Sequence, residues 1–136
     1  MTVFTEGELD YLASQRLGRL ATVDAAGRVQ NNPTAFFVNP DGTVDIGGHA
    51  MGGTKKFRNV REHPEAAFVV DDIVSPDTWQ VRGIEIRGRA EALTGQPPPA
   101  PGFSAEIIRI HPRRIISWGI DGPMTSREAG RPHDVA

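Results

Sequence analysis

The sequence predicts a mainly β protein of the α+β class, a closed antiparallel barrel of six strands with two or more short helices. Three observations carry this. Six strand-like apolar runs are separated by clusters of Gly, Pro, Asn and Asp, the residues of tight turns. No strand alternates with a long helical pattern, so the rhythm of parallel βαβ units is missing. The long strand Trp79 to Leu93 changes the phase of its alternation: Trp79 and Val81 share one parity, and Ile84, Ile86, Ala90 and Ala92 share the other. A one-residue slip near Gly83 predicts a bulge, which bends a strand around a small barrel.

Taken in order, Thr5-Glu6-Gly7-Glu8 matches a capping box, with Thr5 as N-cap and Glu8 three residues on. Phe4 and Leu9 flank it as a hydrophobic staple, and Leu9, Leu12 and Ala13 make an apolar stripe, so residues 6–15 are a helix. Leu17 to Val23 is a strand, Asp24-Ala25-Ala26-Gly27 a hairpin turn with Gly27 at positive φ, and Val29 to Val38 the returning strand. Pro33 sits inside that strand, which predicts a bulge or an unpaired edge. Asn39-Pro40-Asp41-Gly42 is the next turn, and Thr43 to Gly47 completes a three-strand meander. After a helix ended by Pro64, Ala66-Ala67-Phe68-Val69-Val70 reads as a strand buried on both faces and closed by Asp71-Asp72. Gly95 to Gly102 is a proline-stiffened connection. Phe103 to Ile110 and Arg114 to Trp118, interrupted at His111-Pro112, form the last strand or strand pair. From Gly122 the chain is polar and without period, which predicts a frayed tail unless Met124 and Arg127 dock. Residues 1–120 are thus one domain and 121–136 a tail.

Composition sets outer bounds. With 136 residues the chain suits one domain with a real core. It has no cysteine, which excludes disulfides, thiolate metal sites and a cysteine nucleophile. A net charge of −2 gives no overall pull toward nucleic acid or anionic membranes. The start, with early acids and no apolar core segment, is not expected to be a signal peptide, and no run is long enough to span a bilayer. The expectation is a cytoplasmic protein.

The stretch His49 to Pro64 is the unusual one. Gly52-Gly53 allows a turn, Thr54 is an N-cap, and Phe57 and Val60 face a core. Lys55 and Lys56 then fall in the first helical turn, where the free N–H groups already carry positive charge, and Arg58 and Arg61 follow. Cations there are disfavoured by about 0.3–1 kcal/mol each. A phosphate at this helix start reverses the sign, because N–H groups and lysines then share one anion. The bland reading is a solvated basic helix with Glu62 and Glu65 nearby.

Other tempting residues carry less. His49, His63, His111 and His133 have no metal-ligand spacing, so no metal is expected. Asp71-Asp72 reads as a solvated strand end, and Trp79 and Trp118 as core or interface residues. Ser117, Thr22 and Thr34 have no neighbouring base in sequence for a hydrolytic triad. The paired glycines do not form a Walker or dinucleotide fingerprint.

The stretches Leu20 to Val23, Asn32 to Phe36, Thr54 to Val60, His63-Pro64 and Ile110 to Trp118, in this order and spacing, resemble the pyridoxamine 5'-phosphate oxidase-like (PPOX class) split β-barrel flavoproteins. Within them the chain is most similar to the small group that uses the deazaflavin coenzyme F420. The resemblance covers about residues 5–120. It implies a six-stranded antiparallel split β-barrel and a homodimer with cofactor clefts at the subunit interface. It also implies a cofactor phosphate held by Thr54, Lys55 and Lys56, with Arg58 beside them. The ring system would lie along Asn32, Pro33, Thr34 and Ala35, with Gly47, Gly48 and His49 adjacent. Trp79, Trp118, Met124 and Arg127 would supply a partner-side wall. The C-terminal recognition motif of the pyridoxal-phosphate-forming members has no counterpart, which argues against vitamin B6 oxidase activity. The Pro97 to Pro101 stretch is expected to reshape one edge of the cleft.

The function this implies is hydride transfer from reduced F420 to a small electron-poor acceptor: an enone, quinone or tetrapyrrole. The cofactor does the hard chemistry and the protein positions and desolvates. No proton donor and no catalytic residue is evident in the sequence. The rival enzyme uses FMN, since both cofactors carry a ribityl-linked phosphate. Only F420 has an acidic tail, which Arg58, Arg61 or Arg127 would attract. A non-catalytic F420 carrier or sensor is the third reading.

Overall fold

The computed structural model describes residues 2–129. Its elements are α1 (Glu6–Ser14), β1 (Leu17–Val23), β2 (Val29–Val38), β3 (Val44–Gly47), a 3-10 turn (Met51–Gly53), α2 (Lys55–Glu62), β4 (Glu65–Ser75), β5 (Gln80–Leu93), β6 (Ile107–Trp118) and β7 (Thr125–Glu128). The sheet runs β3-β2-β1-β4-β5-β6-β7, and a further β3–β6 pairing closes its first six strands into a barrel with β7 outside. No helix among the described residues is long and apolar enough to cross a membrane.

Local chemistry explains the starts and turns. The Thr5 hydroxyl accepts from the Glu8 N–H at 3.0 Å while Glu8 accepts from the Thr5 N–H at 3.0 Å, the reciprocal capping box. Gly27 and Gly42 adopt φ of 83° and 90° in the two hairpin turns. Rows of inward side chains then cross the barrel. Leu20 faces Phe68, Phe68 faces Ile86, and Ile86 faces Ile115 in adjacent strands, all buried. Phe36 meets Phe68 edge-on across the interior at 5.3 Å between centroids.

The strands depart from expectation in four places. The ladder is unbroken at Gly83, which pairs with both Asp71 and Trp118. The register shifts nearby, on β4, where Ile73 faces Val81 and Ser75 faces Gln80, leaving Val74 as the extra residue. A second bulge lies on β6, where Arg87 faces Arg114 and Gly88 faces Pro112, leaving Arg113 as the extra residue. Pro112 is tolerated there because a bulge needs no ladder N–H from it, and Gly88 has no Cβ to meet the His111 carbonyl oxygen, 2.0 Å from where one would stand. Trp79 lies outside β5, in the β4–β5 turn at φ 54°. β4 buries one face only, Ala66, Phe68 and Val70, and runs past Asp71-Asp72 to Ser75. Among the described residues the tail is docked: β7 pairs with β6, and the Ala129 N–H donates to the bulged Arg113 carbonyl at 2.7 Å. Residues 130–136 of the expected tail, with His133, lie outside the described residues.

Candidate functional site

β2 is paired unevenly. β1 runs beside all of it from Val29 to Ala35, but β3 pairs only from Ala35 to Val38. The opposite edge of residues 29–34 therefore has no strand partner, and Pro33 sits on that stretch opposite Arg19 of β1. A proline lacking an N–H fits where its nitrogen faces an open edge. The expected unpaired edge is present.

Beside this edge lies a cleft of about 310 Å³, lined by Leu17, Pro33, Thr34, Ala35, Gly47, Gly48, His49, Met51, Thr54, Lys56 and Phe103. Five chain segments contribute. The start of β1 gives Leu17, β2 the floor, the end of β3 Gly47 to His49, and the α2 start Thr54 and Lys56. The connection before β6 gives Phe103. Its ring packs edge-on against Phe37 at 5.9 Å and against His49 at 5.1 Å. Ser104 clips this connection to β3, its N–H donating to the Gly48 carbonyl at 2.8 Å and its hydroxyl accepting from the Met51 N–H at 3.1 Å. Gly47 must lack a side chain, since Phe103 and Pro99 atoms stand 2.8 and 2.9 Å from where its Cβ would be.

The helix start is built as its sequence predicts. Thr54 Oγ1 accepts from the Phe57 N–H at 3.3 Å and donates to the Met51 carbonyl at 2.7 Å. Lys55 turns toward the β1–β2 hairpin, its Nζ 3.8 Å from Asp24 Oδ2. The Arg28 N–H, helped by Ala26 and the Lys55 charge, holds the Asp24 carboxyl below the usual range. Lys56 turns into the cleft and has no ion-pair partner among the described residues. Asn59, on the buried face of α2, donates to Thr22 Oγ1 and Gln30 Oε1, both at 3.1 Å, and pins the helix onto β1 and β2. At the cleft floor Thr34 Oγ1 is buried and is the unpartnered side-chain polar atom among the described residues. Such an orphan costs stability unless something completes it.

Eight of the residues singled out from sequence thus meet in one cleft: Pro33, Thr34, Ala35, Gly47, Gly48, His49, Thr54 and Lys56. The others stand apart. Asn32 is turned to Gln30, within the Asn59 network. Lys55 faces Asp24, and Arg58 is exposed on α2. Trp79 is 70% exposed at the β4–β5 tip. Trp118 packs over Gly83 at the end of β6. Arg127 donates to both carboxylate oxygens of the fully buried Glu8 and to the Val3 carbonyl. Leu17, Met51 and Phe103 were not anticipated. The signal for Phe103 was an isolated aromatic ending a proline-stiffened connection.

Two larger depressions carry less chemistry. One of about 430 Å³, between α1 and the β2–β3 turn, has no ionisable side chain on its lining. The other, about 460 Å³, is ringed by Arg87, Arg113, Arg114 and Glu128. There each arginine already faces a carboxylate: Glu85, Glu65 and Glu128.

The family model for pyridoxamine 5'-phosphate oxidase matches residues 4–119. A 5a,11a-dehydrotetracycline/5a,11a-dehydrooxytetracycline reductase of Streptomyces rimosus subsp. rimosus is 46% identical over 125 residues, 90% of this chain and 88% of that protein. Solved structures share the fold at lower identity. A putative pyridoxamine 5'-phosphate oxidase from Listeria innocua superposes with a TM-score of 0.61 at 19% identity, covering 82% of this chain and 94% of that one. An FAD-binding protein from Mesorhizobium loti gives 0.62 at 18%, covering 84% and 93%. A heme binding protein from Mycobacterium smegmatis gives 0.67 at 16%, covering 86% of this chain but only 54% of its own.

Proposed function

The chain belongs to the pyridoxamine 5'-phosphate oxidase family, and on that premise we propose that this cofactor-dependent oxidoreductase reduces a conjugated enone with coenzyme F420 as hydride donor. The observation that carries the proposal is Lys56, a cation without a carboxylate partner among the described residues, turned into the same cleft as an unpaired strand edge. The residues present fit a ribityl-linked phosphate. Lys56 and the N–H groups at the start of α2 would share the anion, with Lys55 close by and Thr54 shaping the turn. The free edge of β2 at Pro33 to Ala35 would take the ring edges, and the orphaned Thr34 hydroxyl is a polar group awaiting a partner there. Bound in this way, the reduced deazaflavin supplies the hydride.

F420 is favoured over FMN by α2 itself. Arg58 and Arg61 have no ion-pair partner among the described residues, and Arg61 only overlies the Phe57 ring at 5.5 Å. They suit an acidic tail, which FMN lacks; Arg127, engaged by Glu8, is not free for one. The acceptor class comes from the similarity to the Streptomyces rimosus 5a,11a-dehydrotetracycline reductase, a name that puts a 5a,11a double bond in the tetracycline skeleton of its substrate. A cleft of about 310 Å³ is small for a tricyclic cofactor plus such an acceptor. A homodimer, with the partner's exposed Trp79 and half-buried Trp118 completing the wall, supplies the missing surface.

Titrating the apo-protein with F420 and with FMN, followed by fluorescence, tests this directly. Submicromolar F420 binding with negligible FMN binding is expected, followed by enone-dependent oxidation of reduced F420. The reverse preference assigns the cleft to FMN. Tight F420 binding without turnover over a panel of enones and quinones makes the protein a carrier.

A further inference from the structure

The hydride accounts for half of an enone reduction; a proton must also arrive, and the sequence offers no donor. We propose that His49 is that donor, acting through Nε2 on the oxygen of the reduced acceptor; this rests on the reductase reading above. His49 Nδ1 lies 3.0 Å from the Gly102 carbonyl oxygen. A carbonyl can only accept, so Nδ1 carries the hydrogen in either charge state. That fixes the tautomer and leaves Nε2 as the nitrogen able to exchange a proton with a ligand. Gly102 has φ +81°, open to glycine and strained for other residues, and its carbonyl meets the imidazole from there. The Phe103 ring, 5.1 Å away and inclined at 68°, holds the second side of the imidazole. The ring is therefore oriented by two contacts from one connection while lining the cleft beside Pro33 to Ala35. Of the charged groups around it, Lys56 lines the same cleft, and Glu106 Oε1 accepts from the Gly52 N–H at 3.1 Å.

The step balances. The two electrons of the hydride come from the reduced cofactor, which is oxidised, and form the new C–H bond at the acceptor's β carbon. The acceptor's π pair moves to its carbonyl oxygen, and that oxygen takes the proton from Nε2. The imidazolium ends as neutral imidazole still bonded to Gly102 through Nδ1–H, and water returns the proton. The enol reverts to the ketone in solvent. Phe103, backed by the Phe37 ring, flanks the imidazole with apolar surface suited to a flat polycyclic acceptor.

Two variants test this in the full-length protein. His49→Gln keeps a hydrogen-bonding side chain without a transferable proton, and His49→Phe keeps the aromatic contact with Phe103. For cyclohexenone reduction by reduced F420, His49→Gln is expected to lower turnover about 100-fold, the scale of general-acid catalysis. F420 affinity should stay within about twofold, and added imidazole should restore part of the rate. Separately, para-nitrophenolate, a stable stand-in for the enolate oxygen, should bind the cofactor-free wild type with a shifted absorbance and bind His49→Phe at least about fivefold more weakly. Turnover of His49→Gln within threefold of wild type, with F420 bound normally, overturns the assignment. So does equal nitrophenolate binding by His49→Phe. If the wild type binds neither F420 nor FMN, the reductase reading falls and the nitrophenolate arm alone decides whether His49 is a donor.

Discussion

Where α1 meets β5 and β7, charged side chains are answered from within the fold. Arg127 grips Glu8 with both nitrogens. Arg82 grips Asp72, which also accepts from the Tyr11 hydroxyl at 2.9 Å, and Thr5 donates to Asp121 at 2.7 Å. Along α2 and the cleft at its start the pattern inverts: of Lys55, Lys56, Arg58 and Arg61, only Lys55 has a carboxylate within ion-pair reach among the described residues. A buried hydroxyl there also lacks a partner. The first region spends its polar groups on stability. The second holds like charges at the positive end of a helix and leaves an edge of β2 open, features that weaken the apo-protein and strengthen a complex with an anion.

The largest break in that contrast is on the satisfied side. Burial alone would raise the Glu8 carboxyl, but hydrogen bonds from Arg127 and Thr5 and the charge of Arg127 hold it below the usual range. Arg127→Ala leaves that charge buried and uncompensated, at a cost of about 3–5 kcal/mol. Thermal melting should fall by about 10–20 °C, with cofactor affinity in the surviving folded protein unchanged. Because the folded pKa is depressed, the stability Glu8 contributes is present above its unfolded pKa and is lost as pH falls through the lowered folded value. Denaturant unfolding from pH 7 down to about pH 3 should show this acid limb in the wild type and a shallower one in Glu8→Gln. Parallel profiles would show the pair to be energetically idle.

Asn59 joins the two regions, since its amide ties α2 to Thr22 and Gln30. Asn59→Ala should cost about 1–3 kcal/mol in unfolding free energy by stranding those partners, and should weaken cofactor binding as well because it loosens the helix that presents Lys56. An effect on stability alone would uncouple the helix tether from the site.

On the open side the sign changes. Lys55→Ala with Lys56→Ala removes one unpaired cation and one whose exposed contact with Asp24 is worth little, so melting should move by less than about 2 °C. Cofactor affinity should drop at least about tenfold, or about 1.4 kcal/mol. Unchanged affinity would remove the phosphate from the α2 start.

Much of this contrast was legible in the sequence, because it is written in local rules. The capping box at Thr5, the positive-φ turns at Gly27 and Gly42, and α2 from its Thr54 cap to its stop before Pro64 depend on neighbours within a few residues. The phosphate reading of Lys55-Lys56 rested on the same local logic, and the structure turns one of the two lysines into the cleft. What escaped depends on distant partners. The phase change at Trp79 and Val81 points to a slip within β5 near Gly83; the register shift sits on the facing strand β4 at Val74, opposite Val81 and Gln80, and the hairpin leaves Trp79 and Val81 exposed. The second bulge, at Arg113, escaped because it follows from Pro112 meeting Gly88, a pairing set by the fold of two whole strands. β7 was invisible because four polar residues, Thr125 to Glu128, gain their strand only from β6 and their anchor only from Glu8, 119 residues from Arg127. Phe103 likewise joins the cleft only because Ser104 clips to Gly48.

The smallest expected effect discriminates best. Thr34→Val is close to isosteric and removes the orphaned hydroxyl of β2. If that hydroxyl served only the apo-fold, losing it would be neutral or mildly destabilising and binding would not change. If it is held for a ligand, removing an unsatisfied buried group should stabilise the apo-protein, by up to about 1 kcal/mol, and the same change should cost F420 affinity a few-fold. The two readings therefore differ in the joint outcome. A higher melting temperature with weaker cofactor binding assigns the floor of the cleft to the cofactor. A higher melting temperature with unchanged binding leaves Lys56 to hold the ligand without help from the β2 floor.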